Sequence, residues 1–303
     1  MVNAWRTVSI GVADFDAVKR LWLEQMAFEL LAERHGADAH LGALWNIPPE
    51  MIAHQWLIGC AGIDAGRMHL VQFASDVPAV RDGAAAFDLC PKNLDIYVDD
   101  IAARVTDLKA AGFQFRTESY SDVHAPDGTE FREIHLPSHD SINVVLLEVV
   151  GKSLPFTNAG FAGVGPLVVT VADASAEAAF YESLGFSPLA HNVLSGPVIE
   201  QMIGLPAGAS LDITMLGDEA QPFGEMEIIQ YGGTNGRDLY PATQPPARGI
   251  VDIHLHADDP AALAATLDCP VETCSVGETL LAAGPAYRLR SPAGMAVTLW
   301  PTH

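Results

Sequence analysis

Short stretches in which apolar and polar residues alternate recur along the chain, and each predicts a β-strand with one apolar face. The clearest is residues 249–259, which alternate three apolar with three polar side chains. The apolar members are Val251, Ile253 and Leu255, and the polar members are Asp252, His254 and His256. If the apolar side packs under helices, one carboxylate and two imidazoles share the opposite face. The stretch therefore predicts either a solvated strand face or one wall of a binding site.

Four segments repeat the same order of elements: a strand-like run, an aspartate and a helix-like stretch. The runs lie at residues 7–14, 93–100, 166–173 and 249–259. An aspartate at the end of each run suits the N-cap of a helix, because its carboxylate accepts hydrogen bonds from the free backbone amides of the first turn. Further strand-like runs follow each helix. We therefore expect four strand-helix-strands modules, near residues 5–75, 92–150, 164–232 and 249–301.

The length of the chain and a turn-rich segment suggest two domains. The 303 residues are enough for two domains of medium size. Residues 151–158, which contain Gly151, Pro155 and Asn158, have the composition of a linker between the second and third modules. We therefore expect an N-terminal domain at residues 1–150 and a C-terminal domain at residues 151–303.

Composition and charge narrow the class of protein. Hydrophobic residues make up 49% and charged residues 18%, as in globular domains. The formal net charge of -22, without a basic stripe, argues against nucleic acid or an anionic membrane as a partner. The sequence starts without a signal-like segment, and no stretch approaches the roughly 20 apolar residues of a membrane span. The four cysteines form no CxxC pair. We therefore expect a cytoplasmic protein with reduced thiols. No dinucleotide glycine motif or phosphate loop occurs, so we expect no nucleotide cofactor.

Three short motifs resemble a known superfamily. Residues 179–186 (AFYESLGF) follow Asp173 and resemble the helix of a vicinal oxygen chelate module, the unit of glyoxalases, bleomycin-resistance proteins and extradiol dioxygenases. Residues 108–113 resemble the same region of even-numbered modules, and residues 291–295 resemble their closing turn. The resemblance covers nearly the whole chain. It implies an α+β fold in which four βαβββ modules pair into two U-shaped mixed-sheet barrels with helices outside, and in which a divalent metal usually lies in the trough of the U.

The superfamily's metal-ligand positions, transferred one at a time, fall on mixed residue types. In the N-terminal half they are Thr7, His69, Asn93 and a last-strand position near Leu146 or Glu148. In the C-terminal half they are Pro166, Glu227, Asp252 and Thr298. The two-histidine, one-glutamate set of an extradiol dioxygenase is absent, since Pro166 and Thr298 cannot supply it. The resemblance therefore leaves open whether the trough holds one divalent metal ion or none.

We expect the active site in the C-terminal trough, with Glu227, Asp252 and His254 as the catalytic residues. The same three side chains could hold one divalent ion through oxygen and imidazole ligands. Without a metal, His254 would act as acid or base, and a neighbouring carboxylate would set its pKa. The residues expected to bind substrate are Tyr231, His256, Trp300 and His69. The alternatives are that Glu227 is a solvated strand residue, that His254 is a hydrogen-bonded core histidine, and that His69 and the two aromatic residues belong to the core.

The leading functional hypothesis is isomerase- or lyase-type proton transfer on an apolar or aromatic carbonyl compound. A non-catalytic small-molecule binder of the resistance-protein type is the alternative, and a divalent-metal-dependent dioxygenase is the third. Two apolar inserts, residues 44–56 and 198–206, are expected either to cover a trough or to form a module or subunit interface. A homodimer is one form that such an interface would take.

Overall fold

The computed structural model describes residues 2–302, whose helices and strands follow the four-module order. The first module contains β1 (Thr7–Val12), α1 (Phe15–Val18) with a π-helical continuation (Lys19–Gln25), β2 (Glu29–His35), α2 (Ala39–Trp45), a 3-10 turn (Pro49–Met51), β3 (Ile52–Gly59) and β4 (Arg67–Phe73). The second contains β5 (Cys90–Val98), α3 (Ile101–Ala110), β6 (Ser121–His124), β7 (Glu130–Pro137), a 3-10 turn (His139–Ser141) and β8 (Asn143–Val149).

The second half of the chain repeats this order. The third module contains β9 (Phe161–Thr170), α4 (Ala174–Leu184), β10 (Ser187–Ser195), α5 (Pro197–Ile203), β11 (Ser210–Asp218) and β12 (Gln221–Gly232). After a 3-10 turn (Tyr240–Ala242), the fourth contains β13 (Gly249–Ala257), α6 (Pro260–Thr266), β14 (Glu272–Val276), β15 (Gly284–Arg290) and β16 (Ala296–Pro301). The predicted α+β class and the four modules are confirmed.

Aspartate caps start the module helices, as the sequence predicted. The side chains of Asp14, Asp100, Asp173 and Asp259 each accept a hydrogen bond from a backbone amide in the first turn of the following helix. At the other end of α4, Gly185 ends the helix with φ of 118°. A side chain would be strained in this left-handed conformation, which glycine adopts freely.

The strands form two eight-stranded mixed sheets, each built from two modules. The first sheet has the order β14-β15-β16-β13-β1-β4-β3-β2, and the second has the order β10-β11-β12-β9-β5-β8-β7-β6. The modules join through antiparallel pairs: β1 with β13, where Thr7 lies opposite His254, and β5 with β9, where Leu94 lies opposite Leu167. The first sheet thus combines modules one and four, and the second combines modules two and three.

This pairing differs from the one implied by an N-terminal domain at 1–150 and a C-terminal domain at 151–303. Each half of the chain contributes one module to each sheet. The physical reason is that module edges pair by long-range backbone hydrogen bonding, whereas the repeat pattern and the linker at 151–158 carry local information only. Trough residues must therefore be grouped by sheet rather than by half of the chain.

Each sheet has one face covered by module helices and an opposite face that we call its trough. A single large hydrophobic cluster lies on the helix side of both sheets and includes Val8, Trp22, Leu94, Leu184 and Ile253. Smaller clusters lie on the trough side, where α2 packs on the first sheet and α5 on the second. No helix within residues 2–302 has the length and apolar content that a membrane span requires.

Candidate active site

The residues expected to form one active site lie in two different troughs. Asp252 and His254 are on β13 and face the first trough, whereas Glu227 is on β12 and lines the second. The residues expected to bind substrate divide in the same way: His69, Trp300 and the half-buried His256 lie with the first trough, and Tyr231 lies with the second. The predicted catalytic and metal-binding set of Glu227, Asp252 and His254 is therefore not assembled, because β12 and β13 belong to different sheets.

A chain of hydrogen bonds crosses the first trough. Its members are Trp300 Nε1 to His254 Nδ1 at 3.2 Å, His254 Nε2 to Ser9 Oγ at 2.7 Å, Ser9 Oγ to His69 Nδ1 at 2.9 Å, His69 Nε2 to Gln55 Oε1 at 3.0 Å, and Gln55 Nε2 to Asp38 Oδ2 at 3.0 Å. Arg34 ends the chain with an ion pair to Asp38 at 2.7 Å. Every polar atom along this path therefore has a partner within the protein.

The donors in this chain fix both histidines as neutral. Because the indole of Trp300 can only donate, His254 accepts at Nδ1 and carries its proton on Nε2. Ser9 Oγ accepts a hydrogen bond from this N–H and donates its own O–H to His69 Nδ1, so the Nε2–H of His69 donates to Gln55 Oε1. Burial lowers the pKa of His254 well below its usual value, and burial together with the neighbouring His254 lowers the pKa of His69 to about 3. The interpretation of His254 as a hydrogen-bonded core histidine fits these contacts.

The carboxylate of the first trough is also satisfied. Trp45 of α2 donates its indole N–H to Asp252 at 3.1 Å, and the hydroxyl of Thr298 donates to the same carboxylate at 3.0 Å. Burial raises the pKa of Asp252 to about 6. Leu41 and Leu44, also from α2, pack in one cluster with Trp300. The first trough is therefore a polar core covered by α2. The first insert, residues 44–56, contributes the indole of Trp45 to this cover.

The second trough encloses a cavity of about 350 Å³. This volume lies in the range of small-molecule sites, which are typically mostly apolar with a few polar groups. Its walls are formed by apolar side chains from six strands and loops, among them Phe131, Leu147, Pro166, Leu194, Ile213 and Met215. Its acidic members are Asp95 from β5, Glu133 from β7, and Glu225 and Glu227 from β12, with Asp127 on the β6–β7 loop.

Three of these carboxyl groups interact electrostatically at the base of the cavity. Burial, together with the charges of Glu227 and Glu133, raises the pKa of Asp95 well above its usual value. Burial and the charge of Glu133 raise the pKa of Glu227 to about 8. Asp95 Oδ1 is buried and has no hydrogen-bond partner in the protein. Buried carboxyl groups whose pKa values are raised by burial and by like charges are frequent in acid-base sites.

Glu133, the third of these carboxyl groups, is hydrogen-bonded to a buried histidine. The amide of Asn143 donates to His135 Nδ1 at 2.9 Å, so the His135 Nε2–H donates to Glu133 Oε1 at 2.7 Å. Burial lowers the pKa of His135, which keeps this imidazole neutral near pH 7. Glu133 therefore accepts a hydrogen bond while its negative charge favours the protonated forms of Asp95 and Glu227.

A buried lysine lies behind the carboxyl groups. Lys92 is 2% exposed and donates from Nζ to the hydroxyl of Tyr231 at 2.8 Å. Burial, with the positive charges of Arg81 and Arg116, lowers the pKa of Lys92 to about 7. Its remaining charge favours the ionised form of Glu227. Tyr231, expected to bind substrate, thus accepts a hydrogen bond from Lys92, and neither side chain is among those that line the cavity.

The ligand sets expected for a metal in a trough do not converge. The predicted trio is divided between sheets, and among residues 2–302 the carboxyl oxygens of Asp95, Glu133 and Glu227 do not all lie within 4.8 Å of one another. In the part of the chain described, one group of three ligand atoms meets that distance, namely Glu33, His35 and His54 on β2 and β3. The ligand set expected from the resemblance is therefore not brought together in either trough in the described part of the chain, and a different group of three such side chains lies elsewhere.

Sequence reasoning missed Asp95, Glu133 and Lys92. The signal for Asp95 was available, because Asn93, Asp95 and Tyr97 alternate with apolar residues on β5 just as Asp252 does on β13. The two positions proposed on β8, Leu146 and Glu148, lie on the face opposite to the trough. Leu146 packs in the helix-side cluster and Glu148 accepts a hydrogen bond from the backbone amide of Ile101, whereas Leu147 lines the cavity.

Comparisons with known proteins agree with this architecture. Neither a protein-family model nor a curated protein matches the sequence. Among solved structures, the chain is similar to glyoxalase I from Zea mays, with a TM-score of 0.66 and 14% identity over 98% of this chain and 92% of that one. It is also similar to a putative dioxygenase from Bacillus subtilis, with a TM-score of 0.62 and 11% identity over 99% of this chain and 85% of that one. The chain therefore shares the fold of these solved structures, with four modules arranged in two eight-stranded sheets.

Proposed function

We propose that the chain is an enzyme that moves a proton on a small apolar or aromatic carbonyl compound bound in the second trough. The observation that supports this most directly is that two buried carboxyl groups with raised pKa values, Asp95 and Glu227, line the same apolar-walled cavity. Carboxyl groups acting as acid and base near neutral pH need pKa values raised in this way.

These two carboxyl groups suggest a division of roles. When the two carboxyls share one proton, the ionised one removes a proton from the carbon beside the carbonyl, and the protonated one donates to the carbonyl oxygen. With an α-hydroxy carbonyl substrate the intermediate is an enediol, and protonation of the former carbonyl carbon, with loss of the proton of the adjacent hydroxyl to the carboxylate, yields the isomer. If the carbon on the other side of the deprotonated carbon carries a leaving group, its departure, with loss of the enol proton as the carbonyl re-forms, yields a lyase product. Glu133 and Lys92 are positioning residues, since their opposite charges set how readily Glu227 ionises.

Hydrogen exchange at carbon tests this chemistry even when the final product is unidentified. The protein is incubated in D2O with a panel of aromatic and aliphatic α-hydroxy ketones and aldehydes, and loss of the proton beside the carbonyl is followed by NMR. We expect exchange with at least one compound, and a loss of about 100-fold or more in Glu227→Gln and Asp95→Asn. Asp252→Asn replaces the buried carboxylate of the first trough and tests the competing location.

The outcomes separate the two troughs. Exchange lost in Asp252→Asn but kept in Glu227→Gln would place the chemistry in the first trough and contradict the proposal. Non-catalytic binding of an apolar ligand is the second candidate, favoured by walls such as Phe131, Leu147 and Ile213. Binding of panel compounds in the second trough without exchange, and with unchanged affinity in Glu227→Gln, would establish that alternative.

A further inference from the structure

A group of two histidines and a glutamate lies away from both troughs. Glu33 and His35 are on β2, and His54 is on β3 directly opposite His35. Glu33 Oε1 is 2.7 Å from His54 Nε2 and 3.1 Å from His35 Nε2. The three ligand atoms lie within 4.8 Å of one another. Two imidazoles and one carboxylate thus converge at one edge of the first sheet.

This group is on the opposite face of β3 from the first trough. Side chains alternate along a strand, and Gln55, next to His54, is the one that joins the hydrogen-bond chain of that trough. His54 and Trp56 instead pack against Phe15 of α1, with ring centroids 4.4 Å and 4.3 Å apart. The group therefore lies outside the first trough, and it belongs to a different sheet from the proposed active site.

We propose that Glu33, His35 and His54 form a binding site for a divalent transition-metal ion such as Zn²⁺. Two imidazole nitrogens and a carboxylate oxygen suit Zn²⁺ and its neighbours in the Irving–Williams series, whereas Mg²⁺ and Ca²⁺ prefer all-oxygen sites. Ligand atoms bound to one tetrahedral ion at about 2.0–2.1 Å are roughly 3.3 Å apart. The present separations of 2.7 and 3.1 Å need to widen by only a few tenths of an ångström.

The surroundings prepare these side chains for ligation. The indole N–H of Trp56 donates to Glu33 Oε1 at 2.9 Å and holds this carboxylate beside the two imidazoles. Partners that orient metal ligands in this way are a regular part of metal sites. His35 is exposed, so the site opens to solvent and retains positions for water. The ion would link edge strand β2 to β3.

The test is calorimetric titration of Zn²⁺ into chelator-treated protein. We expect one tight equivalent in the wild type, and at least a tenfold weaker affinity in His35→Ala and in Glu33→Gln. His191→Ala is the matched control, because His191 is also exposed and also pairs with a carboxylate on the next strand, at 2.8 Å from Asp212. The control should keep the tight equivalent, and Mg²⁺ should not compete for it.

Three results would overturn the assignment. One is an isotherm that is the same in His35→Ala and wild type. Another is equal weakening in His191→Ala, which would mean nonspecific binding to surface histidines. Because His35 is exposed, its variant should fold normally, and far-UV circular dichroism checks that it does. A tight equivalent lost only in Glu227→Gln would locate the ion in the second trough and likewise contradict the proposal.

Discussion

Removing a single hydroxyl should test whether the first trough is a structural core. Ser9 has no exposed surface and lies between two imidazoles, accepting from His254 at 2.7 Å and donating to His69 at 2.9 Å. In Ser9→Ala both contacts disappear, and neither nitrogen can reach water. One buried N–H donor and one buried nitrogen acceptor are then left unpaired.

The size of the effect follows from those two atoms. A buried polar group that loses its partner destabilises the folded state by about 1–3 kcal/mol. Two such groups give roughly 2–6 kcal/mol, against a total stability of about 5–15 kcal/mol for a typical domain. We therefore expect Ser9→Ala to lower the free energy of unfolding by about 2 kcal/mol or more.

Urea unfolding followed by tryptophan fluorescence measures this difference. Ser183→Ala provides the control, because Ser183 is exposed and bonds only to the carbonyl of Phe180 in its own helix, so its effect should stay within about 0.5 kcal/mol. If Ser9→Ala unfolds within about 1 kcal/mol of the wild type, the two imidazoles have other partners and the closed-core description fails. Ligand binding in the second trough should be unchanged in Ser9→Ala.

Two further predictions concern buried groups elsewhere in the first module. The pKa of His69 is about 3 in the folded protein and near 6.5 in the unfolded chain, so between these pH values the unfolded chain binds a proton that the native state does not. The stability that the neutral His69 confers is therefore complete above pH 6.5 and falls as the pH decreases toward 3. The excess stability of wild type over His69→Gln should therefore shrink by roughly 2–3 kcal/mol between pH 7 and 4.5 in urea titrations, and a constant difference would contradict the neutral assignment. Gly66→Ala should lower the melting temperature more than Gly62→Ala: both glycines have φ near +70°, but a Cβ on Gly66 would meet the carbonyl oxygen of Val164 at 2.5 Å, whereas Gly62 has open space. Equal shifts in thermal denaturation would mean that the loop moves away from β9 without cost.

Local features of the fold could be predicted from the sequence. Asp14, Asp100, Asp173 and Asp259 mark the helix starts because the capping bond joins residues two or three positions apart. The alternation on β13 likewise assigned Asp252 and His254 to a common face. These signals depend on contacts within a module, which spacing along the chain records directly.

The pairing of modules could not be predicted in the same way. Whether β1 joins β13 or another strand depends on backbone edges far apart along the chain, as the bond between Ser9 and His254 illustrates with a separation of 245 residues. The candidate site failed at this step, since Glu227 and His254 each face a trough but not the same one. Asp95 and Glu133, on β5 and β7, become neighbours of Glu227 only after β5 pairs with β9.

The contrast between the two troughs supports the proposed location of the active site in the second trough. Both are built from the same strand order, and both carry buried titratable groups. In the first trough, Trp45 of α2 donates a hydrogen bond to Asp252, and every polar atom of the hydrogen-bond chain has a partner. In the second, α5 packs Ile199, Met202 and Ile203 near Tyr231 and leaves a cavity over carboxyl groups, one of which has an unpaired oxygen. The first trough pairs its buried polar groups within the protein, whereas the second leaves carboxyl groups facing a cavity. Incompletely paired polar groups of this kind are expected at ligand-binding sites.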